Sequence, residues 1–326
     1  MRIFFTLLLL VVLAVGGWWA WALGSPVAPP GRQFVLLRPG YSTRRIANEL
    51  KSAGVIRSPI AFVIFHRIYH WHSLKAGEYL FEKPANAFEI HERLARGDVY
   101  VCSVVIPEGY DVFDIAQAIQ QAGLGSSQDF LHVVSSDTAL ISDLAPNATS
   151  LEGFLFPSTY DFTRTESMEE IVAAMVRQFR QVAHEIGLNQ DVQKTVTMAS
   201  IIEKETAVPE ERPLVASVYA NRMAEGIPLQ ADPSVIYAEL LEGRYSGSLH
   251  HADMRFSSRY NTYLHVGLPP GPIGNPGKDS LVAAMHPAQT GFFFFVSNGN
   301  GQHRFAHSLE EHNRNVAAFR RAMAGK

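Results

Sequence analysis

Two glutamates flank a lysine at the end of an apolar segment, in the stretch ASIIEKET at 199–206. Apolar residues recur before them at helical spacing from position 192 onwards, which predicts a helix with its N-cap at Asn189. At about 100° per residue, both Glu203 and Glu205 fall on the apolar face of this helix. A carboxyl group that is partly buried has a raised pKa, so it can act as a general acid near neutral pH.

Periodicity alone does not choose between the two glutamates, but their positions along the helix differ. Pro209 disfavours helical backbone at the residue before it, so the helix is expected to end near Ala207. Glu205 then lies in the last turn, where the negative end of the helix dipole opposes ionisation of a carboxyl group. These arguments favour Glu205 as a general acid. The alternative is a buried structural glutamate that pairs with Arg212 or Arg222.

The composition excludes several classes of function. The chain of 326 residues is long enough for two domains. A net charge of -3 and 18% charged residues provide no basic field, so no nucleic-acid partner is expected. The single cysteine, Cys102, excludes an intramolecular disulfide and a thiolate metal cluster.

The N-terminal segment 1–24 is apolar, and no charged residue lies between Arg2 and Arg32. Because about 20 apolar residues span a bilayer core, we interpret it as a transmembrane anchor, with a cluster of tryptophans at its far end. The slight bias of basic residues favours a cytoplasmic N-terminus. A cleaved signal peptide is the alternative, since the sequence AWA at 20–22 resembles a cleavage site. Residues 25–32 predict a Pro-rich linker.

Two stretches, 35–55 and 104–124, align without gaps at an offset of 69 residues. Each has an apolar strand-like run, a turn at a Gly-Tyr pair and a helix that ends at a glycine, which predicts a duplicated strand–turn–helix unit. Another strand and a short helix are expected at 75–99 between them. In its strand–helix order, the region 33–125 resembles a LysM-like carbohydrate-binding module. A small α/β spacer without glycan binding is the alternative.

After residue 126 the pattern changes to amphipathic helices followed by loops and short strands, which predicts a larger mixed domain over 126–326. The stretch FFFFVSNGNGQHRF at 292–305 predicts two strands joined at Asn298-Gly299. A terminal helix is expected from Ser308. The expected fold class is therefore α+β: a transmembrane helix, a small LysM-like α/β module and a larger mixed α+β catalytic domain.

Several long motifs follow one another along the chain: EGFLFPSTYDF, ASIIEKET, ANRMAEGIPLQADPSVIYA, YNTYLHVGLPPGPIGNPG and HRFAHSLEEHN. Together they resemble the YceG-like family of endolytic murein transglycosylases. The resemblance implies an enzyme that cuts the MurNAc–GlcNAc bond inside nascent peptidoglycan strands and so limits strand elongation. It also implies a single catalytic glutamate, which we carry over to Glu205, and products that end in 1,6-anhydro-MurNAc.

The resemblance further implies a location and partners. The expected location is the cell inner membrane, crossed once, with a cytoplasmic N-terminus and a periplasmic catalytic domain. The expected partners are peptidoglycan glycan strands, the inner membrane and peptidoglycan synthases.

Further residues are expected to bind the substrate. Gln230 and Asp232, in the turn LQADPS, could hold N-acetyl and hydroxyl groups, although Asp232 could instead cap the helix begun by Pro233. Asn261 and Tyr263 offer a hydrogen-bonding amide and an aromatic platform for a sugar; the alternative roles are turn formation and core packing. Two further glutamates complete the predicted substrate-binding set: Glu152, which could instead hydrogen-bond backbone, and Glu203.

Thirteen histidines raise the question of a metal site, notably His303, His307 and His312. The spacing of the first two would suit a helix, but Gly301 and Phe305 indicate a strand that leads into a loop. No metalloprotease-type motif accompanies them, so we expect structural histidines, no metal and no cofactor.

Two alternative functions remain open. A hydrolytic muramidase would use Glu205 together with Asp232, because glycoside hydrolysis needs a second carboxylate. A non-enzymatic, membrane-anchored peptidoglycan-binding protein is suggested by the duplicated unit.

Overall fold

The structure is a computed structural model and describes residues 1–69 and 73–324. The chain divides into two compact units. Unit 1 comprises Met1–Cys102 and Asp161–Glu166, and unit 2 comprises Ser103–Tyr160 and Ser167–Lys326. The first division falls inside the region 33–125, whose assignment as one LysM-like module stays a prediction.

Unit 1 begins with a long apolar helix and continues with two strands and three shorter helices. In chain order these are α1 (Arg2–Gly24), β1 (Gln33–Leu37), α2 (Thr43–Ser52), α3 (Pro59–Ile68), β2 (Gly77–Phe81) and α4 (Ala87–Arg96). β1 and β2 pair antiparallel with Val35 opposite Tyr79. Alternate residues of each strand are buried, which is the period of a sheet with one covered face.

Local sequence explains where the helices of unit 1 begin. The Ser58 hydroxyl accepts from the backbone of Ala61, and Pro59 occupies the first turn, where a missing N–H has no cost. Asn86 and Glu89 form a capping box at α4. The buried faces of these helices cover the inner face of the β1–β2 pair and form one apolar core.

The N-terminal helix α1 is the one helix among the described residues that is long and apolar enough to cross a membrane. Its last turn belongs to the core of unit 1, since Ala22 is 3% exposed and Leu23 is fully buried. The chain then turns extended, and Val27 exchanges two backbone hydrogen bonds with Ala85. The segment predicted as a linker is therefore fixed to the folded unit at this point.

Unit 2 is mostly helical with short strands. Two of the points where the chain changes from one unit to the other lie in the strands β3 and β4. The elements are β3 (Cys102–Val105), α5 (Val112–Gln121), α6 (Ser127–Ser136), β4 (Thr159–Phe162), α7 (Met168–Glu185), α8 (Val192–Glu205), α9 (Arg212–Ala224), α10 (Asp232–Leu241), α11 (Lys278–Met285), β5 (Phe294–Ser297), β6 (His303–Ala306) and α12 (Leu309–Ala324). This mixture of helices and short strands confirms the expected α+β class.

The two aligned stretches have the same local structure. In each, a strand is followed by a turn at a left-handed glycine, Gly40 (φ 82°) or Gly109 (φ 80°), and then by a helix. Each helix ends at a second left-handed glycine, Gly54 (φ 71°) or Gly123 (φ 73°). From Ser103 onwards, however, the second copy belongs to unit 2.

The predicted hairpin is confirmed: β5 and β6 pair antiparallel, with Ser297 opposite His303. The predicted N-cap of α8 at Asn189 is wrong. Asp191 has a left-handed backbone (φ 48°), which cannot continue a helix, so α8 begins only at Val192.

Candidate active site

An open polar pocket of about 320 Å³ lies in unit 2 at the C-terminal end of α8. Four helices, two loops and the β5–β6 hairpin contribute to its wall. The lining residues are Glu205, Tyr219, Arg222, Leu229, Gln230, Asp232, Tyr263, Phe295, Val296, Ser297, His303 and His312. The pocket thus brings together four of the residues predicted from the sequence: Glu205, Gln230, Asp232 and Tyr263.

Glu205 reaches this pocket because of where α8 ends. Ile201 and Ile202, one turn earlier, are fully buried in the core formed by α8, α9 and α11, and Glu205 lies close to the same helical face. The backbone of Thr206 is extended, and Pro209 starts a short 3-10 helix, so α8 stops at Glu205, two residues before the predicted end. The predicted position of Glu205 in the last turn is confirmed.

The environment of Glu205 raises its pKa into the neutral range. Burial raises the pKa of Glu205 to about 7, the negative charge of Asp232 adds to the rise, and the Tyr219 hydrogen bond and the Arg222 charge oppose it. The side chain is partly exposed to the pocket although protein surrounds it on its other sides. Near neutral pH, Glu205 is therefore present in both its protonated and its ionised form, and it has access to a ligand.

The closest polar partner of Glu205 is a neutral donor. Tyr219, on α9, is 1% exposed and its hydroxyl donates to Glu205 Oε1 at 2.7 Å. The buried phenol has a pKa raised well above its usual range by burial and by the Glu205 charge, so it stays a hydrogen-bond donor. A donor of this kind fixes the carboxyl group and does not neutralise it.

Arg222 lies in the same wall without forming an ion pair with Glu205. Its guanidinium donates to the backbone oxygens of Phe293, Pro228 and Leu229 at 2.7, 3.3 and 2.8 Å. These carbonyl groups hold the cation in place, and its charge lowers the pKa of Glu205 only from a distance. The alternative in which Glu205 pairs with Arg222 is therefore wrong.

Arg212 pairs with the other glutamate. Its guanidinium lies 2.9 Å from Glu203 Oε1, and the two side chains are 7% and 6% exposed. Glu203 Oε2 accepts from the backbone N–H of Gly277 at 2.9 Å. Glu203, which we predicted to bind substrate, thus lies outside the pocket lining with both oxygens occupied.

Gln230 and Asp232 lie at the pocket in a segment where the backbone of Gln230 is left-handed. Gln230 has a left-handed backbone (φ 53°), and its side chain is exposed at the pocket. Asp232 is the first residue of α10 and makes no capping bond; its carboxylate instead accepts from the Tyr263 hydroxyl. The capping role considered for Asp232 is therefore absent. Non-glycine residues in this conformation are uncommon and concentrate at functional sites.

The structure does not bring Asn261 and Glu152 into the pocket. Asn261 is fully buried, and its amide donates to the backbone oxygens of Met254 and Phe256 at 3.1 and 2.8 Å. Its Oδ1 accepts from the backbone N–H of Tyr263, so Asn261 shapes the loop that carries Tyr263.

Glu152 is 2% exposed and holds several segments of unit 2 together. It accepts hydrogen bonds from the Val112 backbone at 3.0 Å, and from the Tyr237 hydroxyl and the Asn275 amide at 2.9 Å each. Burial raises the pKa of Glu152 to about 8. A substrate role for this residue stays a prediction, and its contacts are those of an internal crosslink.

The three histidines make separate contacts. His303 lies on β6 and pairs with Glu211 at 2.7 Å, whereas His307 follows the strand and contacts the Gly291 carbonyl. This confirms the predicted strand-to-loop context. His312 stacks on Phe294 from α12. Within 1–69 and 73–324, no group of three or more His, Cys, Asp or Glu residues could hold a metal ion.

Sequence reasoning missed Tyr219 as a residue of this wall, and it considered Arg222 only as an ion-pair partner of a buried glutamate. Arg222 lies in the motif that begins ANRMAEG and Tyr219 directly precedes that motif, and both fall on the buried face of α9. The sequence did contain a signal for them. A tyrosine and an arginine on the apolar face of a helix indicate buried polar groups that need hydrogen-bond partners, as the glutamates of α8 do.

Comparisons with known proteins give a consistent result. The model of the YceG-like family matches residues 35–318. An endolytic murein transglycosylase of Bacillus subtilis is 33% identical over 295 residues, which cover 84% of this chain and 81% of that protein. An endolytic murein transglycosylase of Streptococcus pneumoniae is 28% identical, over 95% of this chain and 64% of that longer protein. A crystal structure of a YceG-like protein from Listeria monocytogenes aligns with a TM-score of 0.57 and 32% identity, over 87% of this chain and 98% of that one.

The two glutamates of α8 should respond differently to the change to glutamine. Glu203→Gln removes a buried charge partner of Arg212, so we expect the free energy of unfolding to fall by about 1–3 kcal/mol. For Glu205, the unfolded chain ionises above about 4.5 and the folded chain only above about 7, so ionisation destabilises the fold as pH rises between these values. Glu205→Gln should remove the part of this slope that Glu205 contributes, while Glu152, with a pKa of about 8, still contributes its own part. Thermal unfolding from pH 4 to 9 measures both effects, and a Glu205→Gln slope equal to that of the unsubstituted protein would contradict the assignment.

Proposed function

Since the chain belongs to the YceG-like family, we propose that it is a membrane-anchored lytic transglycosylase that cuts peptidoglycan glycan strands internally. The observation that carries the proposal is the state of Glu205: a carboxyl group that opens into a polar pocket, receives a hydrogen bond from Tyr219 and has a pKa of about 7. The names of the relatives from Bacillus subtilis and Streptococcus pneumoniae support the same reaction.

In the first step, Glu205 acts as a general acid. Its proton passes to the oxygen of the MurNAc–GlcNAc bond, and the bond between that oxygen and the anomeric carbon breaks. The carboxylate left behind is stabilised by the Tyr219 hydroxyl and by the charge of Arg222, both of which favour the ionised form. A carboxyl group with a pKa near the working pH can both give and take a proton.

In the second step, Glu205 acts as a general base. Its carboxylate takes the proton of the C6 hydroxyl of the same muramoyl residue, and the C6 oxygen bonds to the anomeric carbon. This closes a 1,6-anhydro ring and returns the proton to Glu205, so no water is consumed. One carboxyl group suffices because the attacking hydroxyl belongs to the substrate.

Gln230, Asp232 and Tyr263 are proposed to bind the sugars next to the cleaved bond. The Gln230 side chain is exposed in the pocket, and the paired Asp232 and Tyr263 offer acceptor and aromatic surface beside it. The second carboxylate also leaves hydrolysis as an alternative, in which Asp232 activates water. The two reactions differ in their products.

The proposed location at the inner membrane rests on the length and apolar composition of α1. A single uncleaved span would hold the remainder of the protein at the inner membrane, with the N-terminus in the cytoplasm and the catalytic domain in the periplasm. There it would meet nascent glycan strands and peptidoglycan synthases, and cleavage would limit strand elongation.

Product analysis tests the reaction. Full-length protein in detergent is incubated with uncross-linked glycan strands, and the new ends are identified by mass spectrometry. We expect internal fragments that end in 1,6-anhydro-MurNAc. Reducing MurNAc ends would instead indicate the hydrolytic muramidase, and an absence of new ends would indicate a binding protein without activity.

Glu205→Gln should lower the cleavage rate by about 10²–10⁴-fold, because the amide has no transferable proton at this pH. Glu225→Gln is the matched control, since Glu225 is exposed and lies outside the pocket lining. It should cleave at the normal rate. The assignment is wrong if Glu205→Gln still forms anhydro ends while Glu203→Gln, folded to the same extent, does not.

Tyr219→Phe should move the pH profile of cleavage. The Tyr219 hydrogen bond lowers the pKa of Glu205, so its loss should raise that pKa. At low substrate concentration, the decline of the cleavage rate on the alkaline side of the pH profile should then begin at a higher pH. The maximal rate should also fall, because the carboxyl group is less well held. Tyr237→Phe, which removes a comparable buried bond to Glu152, should leave this decline at the same pH. Equal profiles for the two variants would contradict a role of Tyr219 in positioning Glu205.

Gln230→Gly distinguishes the effect of the left-handed backbone at position 230 on stability from the effect of the Gln230 amide on sugar binding. Glycine adopts a left-handed backbone without cost, so the variant should unfold at the same temperature as the unsubstituted protein or a higher one. If the amide binds a sugar, KM should rise several-fold with little change in kcat. A stable variant with an unchanged KM would remove Gln230 from the substrate contacts.

A further inference from the structure

Three isoleucines of α3 form an exposed apolar row on unit 1. Ile60, Ile64 and Ile68 follow one another at intervals of four residues, so they lie on one helical face, and they are 67%, 41% and 61% exposed. The opposite face of α3, with Phe62 and Phe65, is buried in the core of the unit. The described residues of unit 1 leave the isoleucine row uncovered.

The surroundings of this row are basic. Residues 38–68 contain six arginine and lysine residues and one acidic residue, Glu49, although the whole chain has a net charge of -3. A groove of about 490 Å³ is lined by residues of α2 and α3: Arg44, Asn48, Pro59, Ile60, Val63 and Ile64. It combines apolar walls with a guanidinium group, a combination that suits an anionic amphiphile.

The row begins next to the end of the long apolar helix. Arg57, two residues before α3, places its guanidinium 4.9 Å from the ring of Trp21 on α1 and donates to the Pro26 carbonyl at 3.1 Å. Leu23, in the last turn of α1, is fully buried in the core that also contains Phe62. The N-terminal end of α3 is therefore held against the point where α1 enters the folded unit.

We propose that the face of α3 formed by Ile60, Ile64 and Ile68 lies in the interfacial region of the bilayer that α1 crosses, with Arg44 against anionic lipid headgroups. This goes beyond the proposed reaction and rests on the proposed anchoring by α1. A helix with one buried face and one exposed apolar face flanked by basic residues has the composition of an interfacial helix. Because α1 and α3 belong to one core and the N-terminal end of α3 lies next to the end of α1, the row begins close to the bilayer that α1 is proposed to cross.

Site-specific fluorescence in the full-length protein tests the proposal. Cys102 is the only cysteine, so Cys102→Ser provides a background for single labels. Ile64→Cys reports on the row, and Glu92→Cys on the exposed part of α4 is the control, since that side chain is 67% exposed. Each is labelled with an environment-sensitive dye and reconstituted into nanodiscs of phosphatidylethanolamine and phosphatidylglycerol.

The label at position 64 should show blue-shifted emission and several-fold stronger quenching by lipids with a shallow doxyl group than the label at position 92. Quenching by aqueous iodide should show the reverse order. Ile68→Cys repeats the measurement in case the first variant unfolds, as judged by its melting temperature. Replacement of phosphatidylglycerol by phosphatidylcholine should weaken the lipid quenching at position 64, and an unchanged signal would overturn the role of anionic headgroups.

The outcomes separate this proposal from the anchoring. If the chain loses α1 or does not remain with the disc in high salt, the anchoring fails and the interfacial face fails with it. If the chain remains but position 64 responds like position 92, only the interfacial face is overturned. Protection from iodide without quenching by doxyl lipids would also overturn it, because a protein surface, such as a second copy of the chain, would then cover the row.

Discussion

The two carboxyl groups at the end of α8 have unequal partners, and this difference decides which of them is available as an acid. Burial raises the pKa of both Glu203 and Glu205. Arg212 supplies Glu203 with a full opposite charge, whereas Glu205 receives only a neutral hydroxyl from Tyr219. A cation next to Glu205 would favour the ionised form and remove the proton that an acid needs. Arg212 bonds to Glu203 instead, so the direct polar partner of Glu205 is the neutral Tyr219 hydroxyl.

Arg222, the arginine in the pocket lining, also makes no ion pair with Glu205. Its guanidinium donates hydrogen bonds to three backbone carbonyl groups, which fix the charge in the wall of the pocket. A charge fixed in this way favours the carboxylate form of Glu205 without forming an ion pair with it. The β5–β6 hairpin contributes to this arrangement through the carbonyl of Phe293, directly before β5.

The Pro/Gly-rich loop near position 275 supports α8 from outside the pocket. A Cβ atom on Gly277 would lie 1.9 Å from the Glu108 carboxylate, and one on Gly274 would lie 2.9 Å from the Gly109 carbonyl. The absence of side chains lets this loop approach closely enough for the Gly277 N–H to hold Glu203. Asn275 completes the support, because it bonds to the turn at Tyr110 and to the buried Glu152. The second strand–turn–helix copy is thus tied to the segment behind the candidate acid.

The sequence by itself determined the features that depend on neighbours along the chain. Helical periodicity and Pro209 placed Glu205 in the last turn of α8, and the pattern of strands and helices predicted the α+β class and the hairpin. The sequence could not decide which arginine meets which glutamate, because each arginine lies at nearly the same distance along the chain from Glu203 as from Glu205. It also could not show that Asn261 and Glu152 turn inward while Gln230, Asp232 and Tyr263 meet at one pocket. Those outcomes depend on contacts between segments far apart in the chain, and burial and charge at each carboxyl group arise only when α8, α9, the loops and the hairpin pack together.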